Sequence, residues 1–314
     1  MNNVSVITMF FLSGLNETMN HRFVLFFLSL LCYCIIFLLN LALTVTIILD
    51  NNLHEPMYIL LCVFCMNALY GTAGVYPKFL WDLLSPVHVI SYYGCLIQAL
   101  VIYSCGCSDL SILTLMAFDR YVAICQPLKY HSIMSKQRLI RLVCFSWLTP
   151  FSIVATNVFL TTRVKLCSPY ISRLFCVNWS IVQLACFPAQ TKVNGIVANI
   201  TIIIYVLHGA LIVWSYIYLI KTCVNSIENR TKFMQTCVPH LASLLTFVVA
   251  ILIDVVNIRT DLKNLPQSIQ NFVAIEFLII PPIMNPLIYG FKLTKIRKSI
   301  CVVIFKISKS SNFI

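Results

Sequence analysis

Met116-Ala-Phe-Asp-Arg-Tyr-Val-Ala-Ile-Cys125 is the stretch whose reading decides the fold. From Val89 to Phe118 the chain carries a single charged residue, Asp109, and then sets Asp119, Arg120 and Tyr121 side by side. An apolar run of that length covers a hydrocarbon core of roughly 30 Å at 1.5 Å per residue, so the charges mark the point where a helix leaves the bilayer. Working outward, comparable runs occupy Phe23–Leu49, Met57–Leu80, Leu142–Leu160, Val193–Ile220, Thr236–Ile258 and Gln267–Phe291. Seven crossings are expected. Lipid offers no partner for an open backbone, and barrel strands would show segments of about 10 alternating residues, so the expected class is an all-α membrane protein, a seven-transmembrane helix bundle.

Composition agrees. Of the 314 residues, 60% are hydrophobic and 10% charged, against about a quarter charged in a soluble domain. The segment Val4–Leu12 is apolar, but no positive residue precedes it and no small-residue cleavage site follows, so the first helix is expected to insert as its own signal. With the N-terminus outside, 14 of the 22 Lys and Arg residues fall in the cytoplasm, which is the side that basic residues favour. The expected organisation is an extracellular tail (1–22), the seven-helix domain (23–291) and a cytoplasmic amphipathic helix with a tail (292–314) in a multi-pass plasma-membrane protein. Asn3 and Asn16 open glycosylation sequons in the outer tail, and Asn178 opens one in an outer loop. The formal net charge of +12 does not call for nucleic acid, because the basic residues are spread over the loops and their densest set, 292–298, suits anionic membrane lipids.

Most of the 15 cysteines lie in apolar runs, where a thiol behaves as a small hydrophobe. Cys95, Cys167, Cys176 and Cys186 instead face an oxidising compartment, and four cysteines allow three pairings. Inside the bilayer the informative groups are polar. Asp109 and Arg120, 11 residues apart, share a helix face with Ile102, Gly106, Leu113 and Met116, and that face is expected to point into the bundle. The other reading of Asp109 is a neutral, hydrogen-bonded core residue. Asn40, Asn67, Asn199, His208, His240, Asp254, Glu276 and Asn285 are further intramembrane polar groups, most of them expected to bridge helices. Pro286 frees a backbone carbonyl and, beside Asn285, marks a kink in the last helix.

Asp119-Arg120-Tyr121, Asn285-Pro286-Leu287-Ile288-Tyr289, Asn40 and Trp147, in register with the crossings, resemble the rhodopsin-like G-protein-coupled receptors. Leu53-His-Glu-Pro-Met-Tyr58, Met116 to Cys125, Ser215-Tyr216, Lys232-Phe-Met-Gln-Thr-Cys-Val-Pro-His240 and Pro282-Ile-Met-Asn-Pro-Leu-Ile-Tyr289 are similar to the odorant receptors within that family. The resemblance spans almost the whole chain. It implies disulfides Cys95–Cys176 and Cys167–Cys186, and a switch built from Asp119, Arg120, Tyr121, Tyr216, His240, Asn285, Pro286 and Tyr289. It also implies a small odorant as ligand and a stimulatory olfactory-type heterotrimeric G protein as partner, with a rise in cyclic AMP. Facing geometry places the ligand among Ile102, Tyr103, Gly106, Thr201, Ile251 and Val255. The pattern departs from the family at Ala68, where related receptors carry a carboxylate that helps to hold sodium. The run Leu69 to Lys78 resembles receptors of fish, which implies water-borne ligands.

No cofactor or metal is expected. Cys62-Val-Phe-Cys65 has metal-like spacing without a second pair, and His-Glu-x-x-His is absent, so an intramembrane enzyme has no support. A transporter or channel would use Asp109, Asp254 and Glu276 as an ion path, but no internal repeat accompanies them. A non-olfactory receptor of the same fold is the nearer alternative.

Overall fold

The computed structural model describes residues 7–15, 21–224, 237–238, 240–250, 252, 267–293 and 295–300. Its long helices are α1 (Arg22–Leu49), α2 (Pro56–Leu84), α3 (Tyr92–Cys125), α4 (Lys136–Thr161), α5 (Lys192–Val224), α6 (His240–Ala250) and α7 (Gln267–Lys292). All but α6 are long and apolar enough to cross a membrane, and the remainder of the run expected to form the sixth crossing lies outside the described residues. Helix α3, at 34 residues, is about 51 Å long at 1.5 Å per residue. That exceeds the hydrocarbon thickness, so its ends reach into both aqueous layers.

Local sequence sets the helix starts. Ser91 caps α3 by accepting a hydrogen bond from the Gly94 amide at 3.1 Å, and Pro56 opens α2, where its missing N–H is no loss. Helix α3 is the hub, touching α2, α4 and α5, while α1 packs on α2 and α7. Helices α2 and α3 bury half of their apolar windows inside the chain, whereas α5 buries 6% and turns Ile196, Ile200, Ile203, Leu207 and Leu211 outward to lipid. Gly71 and Gly74 let α2 and α3 approach, since a Cβ at either would collide with Cys105 or Val101.

The outer end carries a small sheet. Strand β1 (Met9–Leu12) pairs antiparallel with β2 (Val89–Ser91) and parallel with β3 (Tyr170–Ile171), in the order β2-β1-β3. The apolar segment read as part of a tail is therefore a central strand. Its alternating burial explains why, because Phe10 and Leu12 point into a cluster with Cys95, Val158 and Cys176 while Met9 and Phe11 face out. At the other end, residues 295–300 form a helical stretch that buries Ile296 against Leu53, Met57 and Tyr58.

Candidate functional site

The shared face of α3 runs the length of the bundle. Ile102, Gly106, Leu113 and Met116 are buried along it, as the helical spacing requires. Asp109 is met from α2 by Asn67, whose Nδ2 donates to Asp109 Oδ1 at 2.7 Å and to the Cys105 carbonyl at 2.8 Å. A neutral amide thus fills the position beside Asp109 that Ala68 leaves without a carboxylate. Two hydrogens of one amide serve two acceptors, which leaves the α2–α3 contact polar but satisfied.

At the inner end, Asp119 is wholly buried and held from two sides. The Arg120 guanidinium forms an ion pair with Asp119 Oδ2, its Nε donating at 3.0 Å, and Tyr130 Oη donates to Asp119 Oδ1 at 2.8 Å. Tyr130 lies on the short helical turn Tyr130–Ile133 beyond Pro127, so the chain folds back beneath α3 to reach the carboxylate. Burial, and then the charge of Asp119, raise the Tyr130 pKa well above the ordinary phenol range, so this group stays a donor at physiological pH. Nothing in the spacing of Asp119 and Tyr130 announces that contact. Leu128, between the two, is fully exposed.

The other inner residues fall into two groups. Tyr216 Oη is hydrogen-bonded to His240 Nδ1, joining α5 to α6, with ring centroids 5.7 Å apart. Tyr216 packs in one cluster with Ala117, Ile212 and Cys237, and Tyr289 in another with Tyr58, Met116 and Leu293. Tyr216 and His240 thus form a direct pair, and Tyr289 packs in the adjoining cluster, which shares Leu110 and Leu244 with that of Tyr216. Tyr121 turns to the rim, its ring tilted against Trp214 and edge-on to Tyr218 at centroid distances of 5.4 and 6.4 Å.

Helix α7 is bound by its prolines. Pro286 has no amide to give to the carbonyl four residues back, which belongs to Pro282. Asn40 of α1 supplies the missing donor, with Nδ2 2.9 Å from the Pro282 carbonyl and 2.8 Å from that of Ile36. Next to it, Asn285 Oδ1 accepts from Ser243 of α6 at 2.6 Å. Asn285 and Pro286 therefore sit at a junction of α1, α6 and α7. Ser243 carried no signal in the sequence, since a serine in a helix usually returns its proton to its own backbone.

The outer end is fastened covalently. Disulfides join Cys95 to Cys176 and Cys167 to Cys186, the pairing that the resemblance implies. Gln98 of α3 reinforces the first by accepting from the Cys176 amide at 2.8 Å. Asn178 is buried with its Oδ1 2.9 Å from Thr161 Oγ1, which in turn accepts from Asn194 at 3.0 Å. The asparagine that opens that sequon is thus part of a buried polar network. Asn3 and Asn16 lie outside the described residues.

Of the residues expected around the ligand, Ile102 packs with Leu174, Phe175 and Val177 of the outer loop, and Tyr103 lies beside the same cluster. Thr201 returns its hydroxyl to the Val197 carbonyl at 2.8 Å. Ile251 and Val255 lie outside the described residues. A separate apolar cavity of about 250 Å³ opens between α2, α3 and α4, lined by Tyr70, Ser104, Ser108, Trp147, Leu148 and Phe151. Asn199, expected among interior groups, is exposed on the lipid side of α5, because that helix buries only a narrow stripe. Among the described residues no group of three metal-ligating side chains comes together, and Cys62 and Cys65 are buried thiols.

Long apolar helices around a polar α3, a restrained acid–base pair at one end and a disulfide-tied loop at the other define a multi-pass membrane receptor. Residues 28–307 match the family model described as olfactory receptor. Human olfactory receptor 6N1 is 30% identical over 302 residues, with 95% of each chain covered. Human olfactory receptor 6C1 is 32% identical over 304 residues, covering 95% of this chain and 96% of that one. Mouse olfactory receptor 6E1 is 28% identical over 307 residues, again with 95% of each chain covered. The chain belongs to the olfactory receptor family, whose members are multi-pass plasma-membrane G-protein-coupled receptors and not enzymes.

Proposed function

We propose that this chain binds a small odorant in the outer half of its bundle and activates a stimulatory olfactory-type G protein at its inner face, raising cyclic AMP. The observation that carries the reading is the double restraint on Asp119, through Arg120 and Tyr130, on the same helix whose outer end is tied by Cys95. A ligand shifts the balance between two states only by binding one of them better, and α3 touches both ends. Ile102, Tyr103, Gly106, Thr201, Ile251 and Val255 are the proposed ligand contacts. Asp119, Arg120, Tyr121, Tyr216, His240, Asn285, Pro286 and Tyr289 are the proposed switch, with Asp109 held at its centre.

On this reading the N-terminus is extracellular (1–22), the bundle spans 23–291, and 292–314 forms a cytoplasmic amphipathic helix and tail that rests on membrane lipids. The ligands are water-borne, in keeping with the fish-like run Leu69 to Lys78. Leu128, fully exposed three residues beyond the end of α3, is the proposed apolar contact to the G protein.

The test is cyclic AMP in cells expressing the chain with a stimulatory olfactory G protein and challenged with mixed water-soluble odorants. A response abolished by Arg120→Ala and weakened by Leu128→Ala, at equal surface expression, is expected. Silence of the unaltered chain at verified surface expression would overturn the coupling.

A further inference from the structure

The outer loop 161–192 contains Arg163, Lys165, Arg173 and Lys192 and no Asp or Glu. Basic residues on a translocated loop run against the bias that orients membrane proteins, so topology does not account for this set. Arg163, Lys165 and Lys192 are exposed, and none forms an ion pair among the described residues. The fold holds them on one rim. Arg163 follows the last turn of α4 with its guanidinium over the Phe159 ring, 5.0 Å from the centroid. The Lys165 amide donates to Gln190 Oε1 at 3.1 Å, and the Lys165 carbonyl accepts from the Cys186 amide at 2.8 Å. The Cys167–Cys186 disulfide clamps the same two segments, so Lys165 stands beside the chain that leads into Lys192.

We infer that this rim binds a sulfated polysaccharide of the cell exterior. A small anion would need a recess with buried donors, and all three cations are on the open surface. An open surface of one sign instead suits a long chain that carries repeated charges and gains by displacing its own counterions. The inference needs only that the loop faces outward, and it stands or falls apart from odorant binding and G-protein coupling.

Fluorescent heparin bound to intact cells that lack their own heparan sulfate reads the outer face alone, with surface density fixed by an N-terminal epitope. Heparin is expected to bind above untransfected cells, to lose binding as salt rises, and to be replaced poorly by desulfated heparin. Each of Arg163→Gln, Lys165→Gln and Lys192→Gln is expected to weaken binding about fivefold, the usual worth of one cation at an anionic surface. The triple charge-retaining variant R163K/K165R/K192R should bind as the unaltered chain does, which separates charge from folding. Equal binding by the triple glutamine variant, binding that ignores sulfation, or no binding above untransfected cells would each overturn the inference.

Discussion

The two ends of the bundle are held by different physics. Outside, two disulfides, a three-stranded sheet and the buried Asn178–Thr161–Asn194 network lock the loop to α3, α4 and α5. Inside, the polar ties are an ion pair and one phenol hydrogen bond on Asp119, a hydrogen bond from Tyr216 to His240, and a serine hydroxyl on Asn285. Covalent bonds do not exchange on the timescale of a conformational change, whereas hydrogen bonds exchange partners at little net cost. The difference teaches where the molecule can have two arrangements: the outer end fixes a frame, and the inner end can be rewired.

Five substitutions test that contrast. The largest effect is expected for Cys95→Ser, because losing a native disulfide costs roughly 2–5 kcal/mol and often abolishes folding. Its loop spans 81 residues against 19 for Cys167–Cys186, so Cys186→Ser should cost about 1 kcal/mol less on loop entropy alone. Thermal unfolding of the purified chain and surface expression read both, and equal losses would remove the argument from loop length. Asn40→Ala comes next, since it strands the Pro282 carbonyl in an apolar interior at about 1–3 kcal/mol. A melting temperature unchanged by Asn40→Ala would mean that α7 satisfies its own kink.

Tyr130→Phe removes one donor from the Asp119 carboxylate without changing shape, worth about 1.5 kcal/mol or roughly a tenfold shift between states. Raised basal cyclic AMP at unchanged stability is expected, and a loss of stability comparable to that of Cys95→Ser would erase the distinction between the two ends. The smallest effect belongs to Glu55→Gln, which removes an ion pair to Lys295 at 2.8 Å between two side chains that are mostly exposed. The hydrogen bond to Glu55 is what raises the Lys295 pKa, but water and salt leave such a pair worth less than about 1 kcal/mol. A change in unfolding temperature that vanishes in high salt would match that size.

Sequence alone was enough for the class of fold, for the six apolar crossings among the described residues and for the stripe Ile102, Gly106, Asp109, Leu113, Met116 and Arg120 on α3. Each follows from one-dimensional quantities: the length of an apolar run and a period of 3.6. The motif at Asp119 to Tyr121 was legible for the same reason, because charge at the end of an apolar run stands out. Tertiary structure alone decided that Tyr130 returns to Asp119, that Asn40 answers the carbonyl freed by Pro286, that Ser243 meets Asn285, and that Met9–Leu12 is a strand and not a loose tail. Each is a contact between residues far apart in the chain or across a turn, and their partners are ordinary polar or apolar residues with no pattern of their own. A proline announces that a carbonyl is free; only packing shows which side chain comes to meet it.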